Sequence, residues 1–395
     1  MSQQLISHSQ DLQALFDDGY ELSIVAGHLI VSNVPYVASD KSIKRGTLVS
    51  TLDLSGNQTA PPSTHVIKFA GDHPCDKNGQ PLKGMVNGQG RTKLANGLVT
   101  NLSFSCKPTD TGKYANYYDK VTTYVGMISG PAEAIDPAAT ARTFAVKEAA
   151  DDNSPFRYID SASSRAGISA MSEKLKLSKV AIVGLGGTGS YILDLLAKTP
   201  VGEIHLIDGD DFMQHNAFRA PGAASIEQLR KRQKKVDYLV EAYSPMRNGI
   251  VPHASYLTEE NISLLDGIDF VFVAVDKGAV KSVIADKLQA DGVAFIDVGM
   301  GISTLEGALF GVVRTTTSTP HQRSHFEKCV NLSSDDVDDA YRQNIQIADL
   351  NALNAALAVM RWKKLFGFYV DLEHEHQSNF TIDGNIITNS HFHEA

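Results

Sequence analysis

At 395 residues, with 43% apolar and 21% charged side chains, the chain is long enough for two or three domains with sizeable cores. A net charge of −9 argues against broad nucleic-acid binding, which needs a surplus of Lys and Arg to neutralise phosphates, and the apolar runs fall short of a bilayer span. Cys75, Cys106 and Cys329 lie far apart without a Cys-x-x-Cys pair, which argues against a disulfide framework and a cysteine-built zinc site.

The opening Met1–Gln13 is polar, with no central apolar block, so the expected location is cytoplasmic, with no membrane partner. A short helix over Ser9–Phe16 leads into strand-like runs at Tyr20–Val25 and His28–Val34, split by Gly27 as in a hairpin. Further strands are expected at Thr47–Leu54, His65–Phe69 and Leu98–Phe104, and a helix near Ala115–Ser129. Tyr114, Tyr117, Tyr118 and Tyr124 fall at helical spacing and read as a packing face. The run Gly71-Asp-His73-Pro-Cys75-Asp76 gathers a thiol, an imidazole and two carboxylates, and reads first as a polar loop and second as a nucleophile or partial metal site. Cys106 alternates with apolar residues as a buried or edge-strand position.

From Lys179 the pattern alternates strand and helix, the signature of a parallel sheet. Strands are expected at Val180–Val183, Glu203–Ile207, Ile250–Ala254, Phe270–Val275 and Ala294–Val298. Helices are expected at Thr188–Lys198, Ile226–Tyr243, Leu257–Leu264 and Gly278–Gln289. Ala308–Thr317 reads as an antiparallel strand, Ser318–Asp339 as a polar, mobile crossing segment, Gln346–Phe366 as an amphipathic helix and Phe380–Thr388 as a last hairpin. The fold class is therefore α/β: a Rossmann-like, mostly parallel sheet with an antiparallel C-terminal extension, beside a separate β-rich N-terminal domain, divided as 1–150 and 151–395.

The chemistry concentrates in Lys179–Arg219. An apolar run enters a turn at Gly184, Gly186, Gly187 and Gly189, and a helix follows. Glycines let the backbone approach a phosphate closely enough for amide N–H groups and the helix N-terminus to hold it. Asp208, nineteen residues past Gly189 at the end of the next strand, is placed to accept ribose hydroxyls. A nucleotide is expected here, and a nicotinamide or flavin dehydrogenase would share this opening.

The continuation Asp208-Gly-Asp210 followed by Asn216-x-x-Arg219 resembles the ThiF and MoeB adenylyltransferases and ubiquitin-activating enzymes from about Phe156 onward. The resemblance implies ATP and Mg2+ as cofactors and adenylation of the C-terminal glycine carboxylate of a ubiquitin-like or sulfur-carrier protein. A downstream conjugating protein is a further implied partner. Gly184, Gly186, Gly187 and Gly189 would cradle the nucleotide, with Asp208 and Asp210 at the ribose end. Asn216, Arg219 and Lys235 would hold phosphates, with Lys234 or Lys231 as substitutes for Lys235. Asp276, at the carboxyl end of a parallel strand, would hold magnesium, its bland alternative being a helix cap, and Lys281 would help to orient the site. Cys329, beside Lys328 and near His325 and Arg323, is the candidate thioester nucleophile, its thiolate favoured by those charges.

Two features depart from the family pattern. Arg157-Tyr158-Ile159-Asp160 stands where relatives carry Arg-Tyr-x-Arg, so an arginine donated across a dimer must come from Arg157 or Arg165 or be absent. The paired Cys-x-x-Cys motifs of relatives are missing, which implies a metal-free subdomain. Relatives pair as dimers, and Ile347, Leu350, Leu353 and Leu357 offer a stripe for a homodimer or for packing on the chain's own sheet. The histidines at 374, 376, 391 and 393 read as a polar connection and an exposed terminus in preference to metal ligands. The rival readings are an NAD- or FAD-dependent oxidoreductase and a catalytically inactive scaffold relative.

Overall fold

The computed structural model describes residues 2–94, 97–149, 154–332 and 345–391. It divides into two compact units, residues 1–147 with 160–169, and residues 148–159 with 170–395.

In the first unit, strands β1 (Glu21–Val25), β2 (His28–Val37), β3 (Ile43–Thr51), β4 (Leu54–Ser55), β5 (Gln58–Thr59), β6 (Val66–Ala70), β7 (Val86–Lys93) and β8 (Val99–Ser105) follow helices Ser2–His8 and Gln10–Asp17. Six of them form an antiparallel sheet in the order β1-β2-β3-β6-β8-β7, while β4 and β5 pair separately. Alternation places Leu29, Val31, Leu48, Ile67, Phe69, Leu102 and Phe104 in one core, closed by the helix Tyr117–Glu133. β7 escapes the sequence pattern because Val-Asn-Gly-Gln-Gly-Arg-Thr-Lys is a polar, exposed edge strand with a broken register.

The tyrosine face packs as expected, and its hydroxyls do more than fill space. Tyr117 Oη donates to Thr51 O at 3.0 Å and Tyr124 Oη to His65 O at 2.6 Å, so the helix satisfies carbonyls at strand ends. Beside them Lys120 is fully buried, its Nζ donating to Ser50 Oγ at 2.9 Å and Thr64 O at 2.8 Å. Burial pushes its ammonium down to about 8, against the pull of Asp53 in the other direction. An unfolded lysine titrates near about 10.4. Between the two values the unfolded chain binds more protons, so this group's contribution improves as pH rises and its penalty is fully present below about 8. Wild type should therefore gain on the order of 3 kcal/mol relative to Lys120→Met from neutral pH to about pH 10. Melting curves of both proteins across that range test it, and a constant difference would contradict the burial argument.

In the second unit β9 (Lys179–Val183), β10 (Glu203–Ile207), β11 (Ile250–His253), β12 (Phe270–Val273), β13 (Ala294–Leu305), β14 (Ala308–Ser318), β15 (Gln377–Thr381) and β16 (Ile386–Ser390) form one sheet, ordered β11-β10-β9-β12-β13-β14-β15-β16. The first five are parallel and the remainder antiparallel. The central strands bury side chains on both faces, which is why they read as continuous apolar runs. Val180, Ile182, Phe270 and Phe272 face the helices Gly187–Leu196 and Ala348–Leu365, while Ala181, Val183, Val271 and Val273 face the helix Gly278–Ala290.

Three expectations change. The helix expected over Ile226–Tyr243 is two, Ile226–Lys231 and Lys235–Tyr243, because Arg232 adopts a left-handed conformation with φ 50°. Leu257–Leu264 is a 3-10 turn over Glu259–Leu265. Ser318–Asp339 is not uniformly polar and loose: Ser318 ends β14, and Phe326–Cys329 is a helical turn with Phe326 buried. Residues 333–339 of that segment, like His393, lie outside the described residues. The stripe considered for a dimer face packs on its own sheet, with Leu350 buried and Ile347, Leu353 and Leu357 against Ile302 and Val313. Among the described residues no helix is long and apolar enough to cross a membrane.

Candidate functional site

The glycine turn sits between β9 and the helix Gly187–Leu196, at the carboxyl end of the parallel strands. Gly184 has φ +89°, and a Cβ there would lie 2.5 Å from Ala274 O. A Cβ at Gly189 would lie 1.9 Å from Gly184 O, so these two glycines close the turn upon itself. Gly187 has a different reason: its Cβ would stand 1.9 Å from Asn351 Nδ2, on the long C-terminal helix. Among the described residues a Cβ at Gly186 would meet nothing nearer than Gln346 Oε1 at 3.8 Å.

Asp208 follows directly on β10 and ties the turn together. It is buried, with Oδ2 accepting from Leu185 N at 2.7 Å and Oδ1 from Asp210 N at 2.8 Å. Lys235 Nζ lies 3.4 Å from the same Asp208 oxygen as Leu185 and 2.6 Å from Asp210 Oδ2. The break at Arg232 makes this possible, since it starts a helix at Lys235 whose backbone N–H donates to Asp210 O at 3.0 Å. Of the alternatives, Lys234 binds Gly209 O and Asp211, and Lys231 points to Glu241. Burial raises the Asp210 carboxyl, but hydrogen bonds from Lys235 and Tyr256 outweigh it and hold it below the usual range.

Asn216 is buried, its Oδ1 accepting from Met213 N at 2.8 Å in the turn Gln214–Ala217, so only its Nδ2 is a donor for an anion. Arg219 is half-buried, and its Nε is buried without a hydrogen-bond partner among the described residues. A guanidinium donor aimed into protein without an acceptor is a place for an anion. Asp276 is exposed, beyond the end of β12, and it is not a helix cap, since Lys277 occupies that position. A hard, outward carboxylate at the end of a parallel strand fits a magnesium ligand.

Lys281 does not face outward. It is buried and pairs at 2.8 Å with Asp297, which is fully buried and also bound by Arg314. This second charged group, and Asn351, were missed in the sequence. Their signal was the polar side chain inside an otherwise apolar strand or helix face.

Cys329 stands apart from the glycine turn's helix. It packs with Phe326 and Val330 against Ile284 and Phe295, on the opposite face of the sheet. Burial raises its thiol above the usual value, outweighing the opposing effect of Arg314 and Lys328. His325 does not supply the expected charge: it is buried, its Nε2 lies 2.9 Å from Thr317 O, and burial holds its pKa down. The favoured thiolate is therefore corrected to a disfavoured one. Cys75 is buried with Val37, Ala132 and Ala139, and burial raises its thiol too. Asp72 pairs with Lys44 and Asp76 accepts from Asn78 N and Gln80 N, as a polar loop would have them. Among the described residues no three His, Cys, Asp or Glu side chains gather for a metal ion. Asp160 caps the helix Ser161–Arg165 and Arg165 faces Asp17, while Arg157 Nε donates to Ser244 O at 2.5 Å.

An α/β nucleotide-type fold with this glycine turn and strand-end carboxylates defines the class. The chain belongs to the ThiF family, which it matches over residues 161–394; residues 10–161 match a domain of unknown function, DUF6791. It is 27% identical over 157 residues to ubiquitin-like modifier-activating enzyme 5 of Aedes aegypti, covering 39% of this chain and 36% of that one. It is 26% identical over 128 residues to tRNA threonylcarbamoyladenosine dehydratase of Haemophilus influenzae, covering 32% and 49%. The chain thus spans half or less of the length of these relatives. A crystal structure of Escherichia coli MccB with MccA-N7isoASN superposes with a TM-score of 0.47 at 18% identity, covering 58% of this chain and 68% of that one.

Proposed function

We propose that this protein is an ATP-dependent adenylyltransferase that activates the C-terminal glycine carboxylate of a small ubiquitin-like or sulfur-carrier protein. The observation that carries the reading is the buried Nε of Arg219, without a partner among the described residues, in a ThiF-family chain, on the segment between Asp208 and Lys235. Adenylation transfers charge onto pyrophosphate as the carboxylate attacks the α-phosphate, and fixed cations lower that barrier. In this proposal Gly184, Gly186, Gly187 and Gly189 shape the loop for the nucleotide. Asp208 and Asp210 stand at the ribose end, Asn216, Arg219 and Lys235 hold phosphates, and Asp276 holds magnesium, which when bound shields the triphosphate charge. The family name and the likeness to a modifier-activating enzyme support the choice of carboxylate activation over hydride transfer.

Calorimetric titration tests the reading directly: Mg-ATP should bind and NAD should not, and tight NAD binding without an ATP response would sink it. Pyrophosphate exchange that depends on a carrier ending in glycine then separates carrier activation from the tRNA-directed activity named for the Haemophilus relative.

A thioester step on Cys329 is a second reading, supported by its place beside an open cavity lined with Ser282, Lys328 and Asn331. If it operates, carrier and Mg-ATP give a thiol-sensitive adduct that Cys329→Ser loses, or traps as an oxyester, while exchange is kept. A wild-type level of adduct in Cys329→Ala would make Cys329 an ordinary packed residue.

A further inference from the structure

The helix Ala348–Leu365 carries two asparagines in its buried face, each 1% exposed. Asn354 Nδ2 donates to Gly299 O at 3.0 Å. Asn351 does something more specific. Its Oδ1 accepts from Thr188 Oγ1 at 2.9 Å, in the first turn of the helix behind the glycine loop, and its Nδ2 lies 3.4 Å from the carbonyl oxygen of Arg219. One carboxamide thus joins the loop to the backbone of the residue whose buried guanidinium nitrogen has no partner among the described residues. The junction is tight enough to require glycine at 187, where a Cβ would stand 1.9 Å from Asn351 Nδ2.

We propose that Asn351 is a positioning residue that sets the Arg219 guanidinium against the triphosphate by fixing the Arg219 backbone to the glycine loop. This rests on the adenylation reading above. The role needs an amide: an acceptor must face the Thr188 hydroxyl while a donor faces a carbonyl a few ångströms away, and neither a carboxylate nor an aliphatic side chain offers both. A guanidinium on a long side chain finds a phosphate only if its backbone is held, and buried hydrogen bonds hold it with no charge of their own to disturb the nucleotide. Asn351 itself touches no phosphate in this scheme. It acts through Arg219, which should matter for the outer phosphates and little for the nucleoside.

The test compares Mg-ATP and AMP by calorimetry on the full chain, so no carrier is required. Asn351→Leu keeps the number and branching of the side-chain heavy atoms and adds no charge. It should weaken Mg-ATP about tenfold, as loss of one well-placed charge-assisted contact implies, and leave AMP within about twofold. In an Arg219→Gln background the same substitution should cost less than about threefold, because residues acting through one contact are not additive. Thr188→Val, which removes one of the two ties, should show the same pattern at smaller size and serves if Asn351→Leu does not fold. Equal weakening of ATP and AMP, or full additivity with Arg219→Gln, would reduce Asn351 to helix packing and overturn the inference. A wild-type protein that binds no Mg-ATP would sink the adenylation reading and this inference together, whereas wild-type binding left unchanged in the variants would sink the inference alone.

Discussion

Arg219→Ala is expected to lower the rate of adenylation by about 10²–10³, the equivalent of roughly 2.7–4 kcal/mol of transition-state stabilisation, with little change in melting temperature. The reason lies in what the side chain lacks. Its Nε is buried with no partner among the described residues, so folding gains no hydrogen bond there that the substitution would remove. The charge is useful only when an anion arrives, and most useful when charge moves onto pyrophosphate. Asp276→Ala should behave alike, since Asp276 is exposed. The contrast is Lys235. It binds Asp208 and Asp210 from a buried position, so Lys235→Ala should lose stability as well as activity, because it leaves Asp208 without its cation. Pyrophosphate exchange with a carrier that supports it in the wild type, read beside melting curves, separates the cases. Near-normal exchange in Arg219→Ala or Asp276→Ala would remove that residue from the site.

The sheet was legible because its central strands are buried on both faces, so Val180–Val183 and Phe270–Val273 announce themselves as apolar runs. The edge strand β7 was not, since it buries little and carries no alternation. The candidate site was legible where the chain is contiguous. Glycines, strand end and Asn-x-x-Arg follow one another within Lys179–Arg219, and their spacing reflects local backbone geometry. What tertiary contact decides was hidden. Nothing in the sequence ties Asn351 to Thr188, 163 residues earlier, or folds Lys281 inward onto Asp297. The Cys329 environment failed for the same reason. Neighbours in sequence supplied positive charge on paper, but folding buried His325 and left the thiol half-buried, and burial lowers the one pKa and raises the other. Charge near a cysteine lowers its pKa only when the cysteine stays solvated enough for the charge to outweigh burial.

Gly186→Ala and Gly189→Ala should fail in opposite ways, although both lie in one motif. A Cβ at Gly189 would be placed 1.9 Å from a backbone oxygen, that of Gly184, which cannot rotate aside as a flexible side chain would. The turn must open, the Leu185 N–H is drawn off Asp208, and stability should fall by about 1–3 kcal/mol as in an overpacked core. Nucleotide binding would then be lost as a consequence of the distorted loop. Gly186 is different. A methyl group there finds its nearest neighbour among the described residues at 3.8 Å, so the melting temperature should hold within a degree or two. If this is the point where the backbone meets the phosphates, the added methyl stands where they must approach, and Mg-ATP binding should weaken by about a hundredfold or more, a loss of at least about 2.7 kcal/mol. Melting curves with and without Mg-ATP distinguish the two variants: Gly189→Ala melts early in both conditions, while Gly186→Ala melts like wild type without nucleotide and gains nothing from it. A Gly186→Ala protein that is stabilised by Mg-ATP as much as wild type would show that the phosphates do not lie over Gly186, and the glycine loop would then be a turn required by sterics alone.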